Sequence, residues 1–201
     1  MNALGEEADP AVSHRAHISL LHKKGDKDLL NNKRPISLIN TDERILDQAL
    51  NMRLCFKLLK LTHPTQTGFV PTRWIGDNIA TVQQVLDEGS GGMLAFLDFE
   101  KAYDRLSHNC IKAILMNAGI GPRYRRWTMR SITNASARIV MNGWLSEAFP
   151  IQRGLRQGSP LSPSLFALCI EPLAALLRRR LHGIRAKNLP PSKSIFLHCN
   201  L

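Results

Sequence analysis

Met93-Leu94-Ala95-Phe96-Leu97-Asp98-Phe99-Glu100-Lys101-Ala102-Tyr103-Asp104 carries an apolar run that meets a carboxylate. Its first part, residues 93–99, is brief and nearly continuously apolar, and it starts after the glycine-rich turn at 89–92. Those features favour a buried strand over a helix. One charge interrupts it, Asp98, near the strand end. An unpaired carboxylate is costly to bury, so a buried Asp98 requires a cation, backbone donors or a metal ion as partner. Asp104 lies past the strand, where capping the next helix is its simplest use.

Two helical patterns precede this strand. Thr41 is a good N-cap, and Asp42 and Glu43 follow in the first turn, where acids complement the helix dipole. Ile45, Ala49, Met52, Phe56 and Leu59 then recur at helical spacing and form the expected buried stripe. After a loop at 63–71, Ile75, Ile79, Val82 and Leu86 mark one face of a second helix. Nearer the start, residues 17–22 read as a strand ended by the turn Lys23-Lys24-Gly25-Asp26. Residues 33–40 read as a second extended piece, which Pro35 restricts to a sheet edge or a bend. Residues 1–16 show no pattern and are expected to be a disordered lead-in.

Downstream, Ser107 is placed to cap a helix whose stripe is Ile111, Ile114, Leu115 and Ala118 and whose stop is Gly119. Residues 122–132 read as a short helix with Trp127 inward. Asn142-Gly143 joins two β-prone runs, 136–141 and 144–149, and is the strongest short hairpin signal, because a type I′ turn needs positive φ at both central residues. A loop rich in Gly, Pro and Arg spans 150–163. The last helix covers 164–181, with Pro172 as a kink and Arg178-Arg179-Arg180 at the C-terminal end, where the dipole favours cations.

Twenty-seven Lys and Arg against 16 acids give a formal charge of +11, which points toward a polyanionic partner such as nucleic acid or an anionic membrane surface, with a solvated basic surface as the other reading. No apolar run approaches the ~20 residues that cross a bilayer, and residues 1–10 lack the apolar core of a signal peptide. Cys55, Cys110, Cys169 and Cys199 are scattered, with no C-x-x-C pair, and read as reduced thiols. The expected location is therefore intracellular, nuclear or cytoplasmic, with no membrane partner.

The loop Arg153-Gly154-Leu155-Arg156-Gln157-Gly158-Ser159-Pro160 combines charge, backbone freedom and an amide, which suits close approach to a phosphate or base. It is not a Walker loop, since the chain contains no G-x-x-x-x-G-K-[ST]. Taken in order, Lys33-Arg34-Pro35-Ile36-Ser37-Leu38, Gln66-Thr67-Gly68-Phe69, Phe96 to Asp104, and Arg153 to Phe166 resemble the successive blocks of reverse transcriptases of LINE-type (non-LTR) retrotransposons. Asn142-Gly143 falls where that family has its hairpin. Group II intron proteins share part of the pattern. The resemblance spans about residues 17–184 and implies an α/β (α+β) fold: right-hand polymerase fingers plus a partial, truncated palm. It places the fingers region at 17–92 and the partial palm at 93–201, with an intervening fingers hairpin at about 119–155.

The same resemblance implies an RNA-directed DNA polymerase acting on an RNA template, a DNA primer and dNTP by two-metal nucleotidyl transfer with Mg²⁺. By match, Asp98 is a ligand shared by both metals and the Phe99 carbonyl holds the nucleotide-side metal. Tyr103 takes the steric-gate position, where the family often has Phe, and Gln157 and Gly158 touch the incoming nucleotide. Arg34, with Lys23 or Lys24, faces template or triphosphate, and Arg153 and Arg156 face nucleic acid. The aromatic-Ala-Asp-Asp block that supplies the remaining catalytic carboxylates is not found; the tail Phe196-Leu197-His198-Cys199-Asn200-Leu201 falls about where it should begin. This chain alone is accordingly expected not to polymerise. The alternatives are a non-catalytic nucleic-acid-binding remnant, which the charge favours, and a decayed gene product.

Overall fold

The computed structural model describes residues 15–88, 94–133 and 135–181. The expectations for residues 1–14, for the glycine turn at 89–92 and for the tail at 196–201 lie outside them. The fold is mixed α/β, and its chain forms two compact units. One unit combines the residues up to Asn51 with Tyr103–Ser162; the other combines Met52–Ala102 with the residues from Pro163 onward.

The first unit is built on a mixed five-stranded sheet. Strand β1 (Arg15–His22) pairs antiparallel with β2 (Lys33–Ile39) and parallel with β3 (Ser136–Met141). Two short strands, β4 (Trp144–Leu145) and β5 (Phe149–Pro150), pair antiparallel with β3. β2 lies at the sheet edge, as Pro35 requires, because a proline has no N–H to donate to a further strand. The β3–β4 hairpin turns at Asn142 and Gly143, with φ 50° and 82°, the positive values that the Asn-Gly pair predicts. β1 begins at Arg15, and Ala16 is buried in it, so the ordered strand reaches into the expected lead-in.

Helices α3 (His108–Asn117) and α4 (Pro122–Thr133) also belong to this unit. Ile111 and Leu115 of α3 are fully buried, and Gly119, at φ 67°, ends the helix as its position suggests. Trp127 of α4 is half-buried, with the Arg130 guanidinium 5.7 Å from its ring centroid.

Helix α1 (Thr41–Leu61) runs from the first unit into the second. Its buried face corrects the expected stripe. Leu50, Leu54 and Leu58 are buried, together with Glu43 and Asp47, whereas Ile45, Met52, Phe56 and Leu59 are exposed. Both sets recur at helical spacing, so periodicity alone does not choose between them. The burial of two carboxylates on the winning face has its reason in a partner far along the chain, described below.

The second unit holds α2 (Ile75–Asp87) and α5 (Ser162–Arg180), the latter from Pro163. Leu165, Phe166, Ala167, Leu168 and Ala174 of α5 are buried, and Pro172 lies inside the helix on its exposed side. On α2, the expected stripe is only half-buried at Ile75 and Val82 and is exposed at Ile79 and Leu86; the fully buried residue is Asn78. Asn78 donates from Nδ2 to Thr67 Oγ1 at 2.8 Å, tying α2 to the Gln66-Thr67-Gly68-Phe69 turn. Arg73 fastens the same turn to the end of α1, donating to the carbonyls of His63 (2.6 Å), Gln66 (2.8 Å) and Thr62 (3.2 Å). These carbonyls belong to the turn after α1, and Arg73 Nη2 also reaches the Leu59 carbonyl (3.4 Å), one of the orphan acceptors in the last turn of the helix. The Gln66–Phe69 block is thus a structural knot.

The apolar run around Asp98 departs most from expectation. Residues 94–99 form no strand, and Leu94, Phe96, Leu97 and Phe99 are exposed. A strand exists only through the ladder it makes with a neighbour. Among the described residues, the sheet is composed of other strands, and none pairs with this run.

Candidate functional site

The loop from Arg153 to Pro160 is fixed at several points, all within the first unit. At its start, Gly154 N donates to the Leu106 carbonyl (2.7 Å), and Leu155 N donates to the Tyr103 carbonyl (3.0 Å). His108 Nε2 lies 3.0 Å from the Gly154 carbonyl oxygen. Gly154 has φ 89°, and a Cβ there would stand 2.9 Å from Asp104 Cα, so the close approach needs glycine.

The middle of the loop is held by charge. Arg156 is buried, with Nη1 2.5 Å from Glu43 Oε1 and Nη2 3.5 Å from Asp47 Oδ2. Its Nη2 also donates to the carbonyl (3.1 Å) and hydroxyl (3.2 Å) of Ser131, near the end of α4. Asp47 is the hub: Oδ1 accepts from Ser131 Oγ (2.6 Å), and Oδ2 accepts from Ser159 Oγ (2.6 Å). Ser159 Oγ in turn accepts from Leu161 N (3.2 Å), just ahead of α5. Hydrogen bonds offset part of the cost of burying these charges, serving Arg156 Nη2 and both Asp47 oxygens, while Arg156 Nε and Glu43 Oε2 make none among the described residues.

Between the buried anchors Arg156 and Ser159 lie Gln157, half-buried, and Gly158, exposed. Gln157's carbonyl accepts from Ser37 N at 2.7 Å, so the loop meets the edge of β2 through the backbone. Gly158 has φ 127°, and a Cβ there would overlap the Ser37 carbonyl oxygen. The loop therefore displays two residues at the sheet edge with little freedom to move.

The structure brings the expected site residues together in part. Lys23 and Lys24 are exposed in the turn between β1 and β2, and Arg34 is half-buried on β2, opposite Leu21, so all three share one hairpin. Arg153 is exposed at the start of the loop. Arg156 corrects the expectation of a nucleic-acid contact: its guanidinium is spent inside the protein on Glu43 and Asp47. Tyr103 is buried, with 4% of its surface exposed, so its ring is packed in this structure. Asp98 and Phe99 belong to the second unit and are exposed, which also corrects the expected burial of Asp98. Its charge stands in water, so the desolvation cost that seemed to demand a partner does not arise.

Glu43 and Asp47 are the functional-loop residues that sequence reasoning missed. A signal was present: they sit four apart on α1, in line with Leu50, Leu54 and Leu58. Acids continuing a leucine stripe announce a buried cation, but nothing local names Arg156 as that cation. Among the described residues, no group of three or more His, Cys, Asp or Glu is gathered as a metal site.

A sequence profile described as "Reverse transcriptase (RNA-dependent DNA polymerase)" matches residues 21–198. The "Transposon TX1 uncharacterized 149 kDa protein" of Xenopus laevis is 39% identical over 182 residues, covering 89% of this chain and 14% of that protein. The "Retrovirus-related Pol polyprotein from type-2 retrotransposable element R2DM" of Drosophila melanogaster is 34% identical over 148 residues, 72% of this chain and 14% of that protein. The "RNA-directed DNA polymerase from mobile element jockey" of Drosophila melanogaster is 24% identical over 168 residues, 79% of this chain and 18% of that protein. The chain thus spans about one-seventh of the length of the first two relatives.

Proposed function

This chain belongs to the reverse transcriptase family, with relatives among non-LTR retrotransposon polyproteins, and we propose that it supplies the nucleotide- and template-binding part of an RNA-directed DNA polymerase. The observation that carries the reading is the anchored loop, which presents Gln157 and Gly158 between two buried residues. A dNTP is a polyanion with a planar base. Gln157 offers it an amide, Gly158 offers exposed backbone, and Lys23, Lys24, Arg34 and Arg153 supply positive charge for the triphosphate and for an RNA template with its DNA primer. In this reading, 17–92 acts as fingers and 93–201 as part of a palm, with the hairpin at about 119–155 returning to the fingers.

Reverse transcriptases work with divalent metal ions, and we assign Mg²⁺ here. The residues present fit such an ion in kind: Asp98 is an exposed carboxylate, next to the Phe99 carbonyl, and both are hard oxygen donors. The ion would supply positive charge to the phosphate oxygens as the primer 3′-hydroxyl displaces pyrophosphate. Asp98 would hold both ions, and the Phe99 carbonyl the one on the nucleotide side. Water and the phosphate oxygens of the nucleotide would supply further oxygen ligands, as is usual for Mg²⁺. The 201-residue chain by itself is expected to bind without extending a primer. Tyr103 is assigned the sugar check, and its packed ring must open toward the nucleotide to make it.

Equilibrium titration of the chain with a fluorescent dNTP, with and without Mg²⁺, tests the reading. Binding that needs Mg²⁺ and falls about tenfold or more in Asp98→Asn supports it; no dNTP binding at any Mg²⁺ concentration rejects it. A second reading, nucleic-acid binding without nucleotide chemistry, is favoured by the net charge of +11 and by α4, which carries Arg123, Arg125, Arg126 and Arg130 and no acid. RNA binding with no response to dNTP would select it.

A further inference from the structure

We infer that Glu43 and Asp47 of α1 are positioning residues for nucleotide capture, an inference that rests on the reading of the loop as the dNTP site. Residues 156 and 159 bracket the two displayed residues, and Asp47 reaches both brackets: its Oδ2 accepts from Ser159 Oγ at 2.6 Å and lies 3.5 Å from Arg156 Nη2. Glu43 takes the other end of the same guanidinium, at 2.5 Å. Ser131 closes the ring by donating to Asp47 Oδ1 and accepting from Arg156. With both ends fastened to one face of α1, the backbone of Gln157 and Gly158 lies at the edge of β2, where Ser37 N donates to the Gln157 carbonyl.

Neither acid touches the displayed face; both are fully buried. They therefore act through Arg156 and Ser159 on where Gln157 and Gly158 stand, and a misplacement of about 1 Å at a binding group is enough to weaken capture strongly. The sheet edge alone does not fix the loop, since a single backbone hydrogen bond to an edge strand contributes little net stability in water. The carboxylates make the difference because charge-assisted hydrogen bonds in a buried site are about twice as strong as neutral ones.

The test is dNTP affinity of the full 201-residue chain in Mg²⁺, read by fluorescent-nucleotide titration, for wild type, Asp47→Asn, Ser159→Ala and the double variant. Single-stranded RNA affinity is read in parallel by anisotropy. Asp47→Asn is expected to weaken dNTP binding about tenfold or more, and Ser159→Ala about threefold to tenfold, with RNA affinity within about twofold of wild type. The double variant is expected to lose no more than Asp47→Asn alone, because both changes break one shared hydrogen bond. A general loosening of the fold would instead give additive losses and weaken RNA binding as well. If Asp47→Asn does not fold, Ser159→Ala, which removes one hydroxyl, carries the test alone. Wild-type protein that binds dNTP, with variants that bind it equally well or with additive losses in the cycle, overturns this inference and leaves the reading of the loop intact. Wild-type protein that binds no dNTP overturns that reading itself.

Discussion

His63 shows how one side chain in this fold couples stability to pH. Its Nδ1 accepts from Thr65 N at 3.3 Å and lies 2.9 Å from Thr65 Oγ1, an arrangement that suits the neutral ring. Burial lowers its pKa below the ordinary value, the nearby Arg178 lowers it further, Glu171 opposes, and Arg73 lowers it again. A histidine with a depressed folded pKa binds its proton more readily in the unfolded chain. Its contribution is complete above the unfolded value of about 6.5 and is lost as pH falls through that value toward the folded one. Chemical denaturation between pH 8 and pH 5 is therefore expected to show stability declining below about pH 6.5, with a smaller slope in His63→Gln. Identical slopes in the two proteins would remove His63 as the cause. The ring is only half-buried, so solvent screening keeps the effect small.

At the scale of elements, α1 carries two apolar stripes, and only one is used. Leu54 and Leu58 are buried, while Phe56, between them in sequence, is 78% exposed. Truncating a packed leucine removes both its transfer energy and its neighbours' contacts. Leu58→Ala is expected to cost about 2–5 kcal/mol in urea unfolding, whereas Phe56→Ala should stay within about 0.5 kcal/mol of wild type. The reverse ranking would restore the stripe of Ile45, Ala49, Met52, Phe56 and Leu59 that periodicity suggested. α3 gave no such ambiguity: its helix has one apolar face, and Ile111 and Leu115 are buried as read. The loop at 153–160 was legible as a flexible, charged, ligand-suited segment, but its anchoring was not. Arg156 looks like a surface cation in sequence because both its partners stand more than a hundred residues earlier. Residues 94–99 misled for a related reason. An apolar run records a tendency to be covered and says nothing of which segment covers it.

For the whole molecule, the charge of +11 is the property that reaches furthest from the surface. With RNA as the proposed partner, the logarithm of the binding constant should fall linearly with the logarithm of salt, with a slope of about −0.7 for each phosphate engaged. Replacing Arg125 and Arg126 of α4 by alanine is expected to flatten that slope by about 1 or more. A slope near zero in the unaltered protein would mean that its positive charge is a solvated surface and no footprint for a polyanion.

The order of residues alone specifies features that lie within a few positions along the chain. It sets the Asn142-Gly143 hairpin, because positive φ is a local demand; the limit of β2 to an edge or a bend, because Pro35 has no N–H; the stop of α3 at Gly119; and the ordered blocks that mark the family. Folding in three dimensions selects which face of α1 is buried, turns Arg156 inward to Glu43 and Asp47, packs Tyr103 and leaves Asp98 exposed. Backbone geometry and capping are settled by neighbours along the chain. Burial and ion pairing are settled by neighbours in space, and those come from segments whose meeting no local pattern specifies.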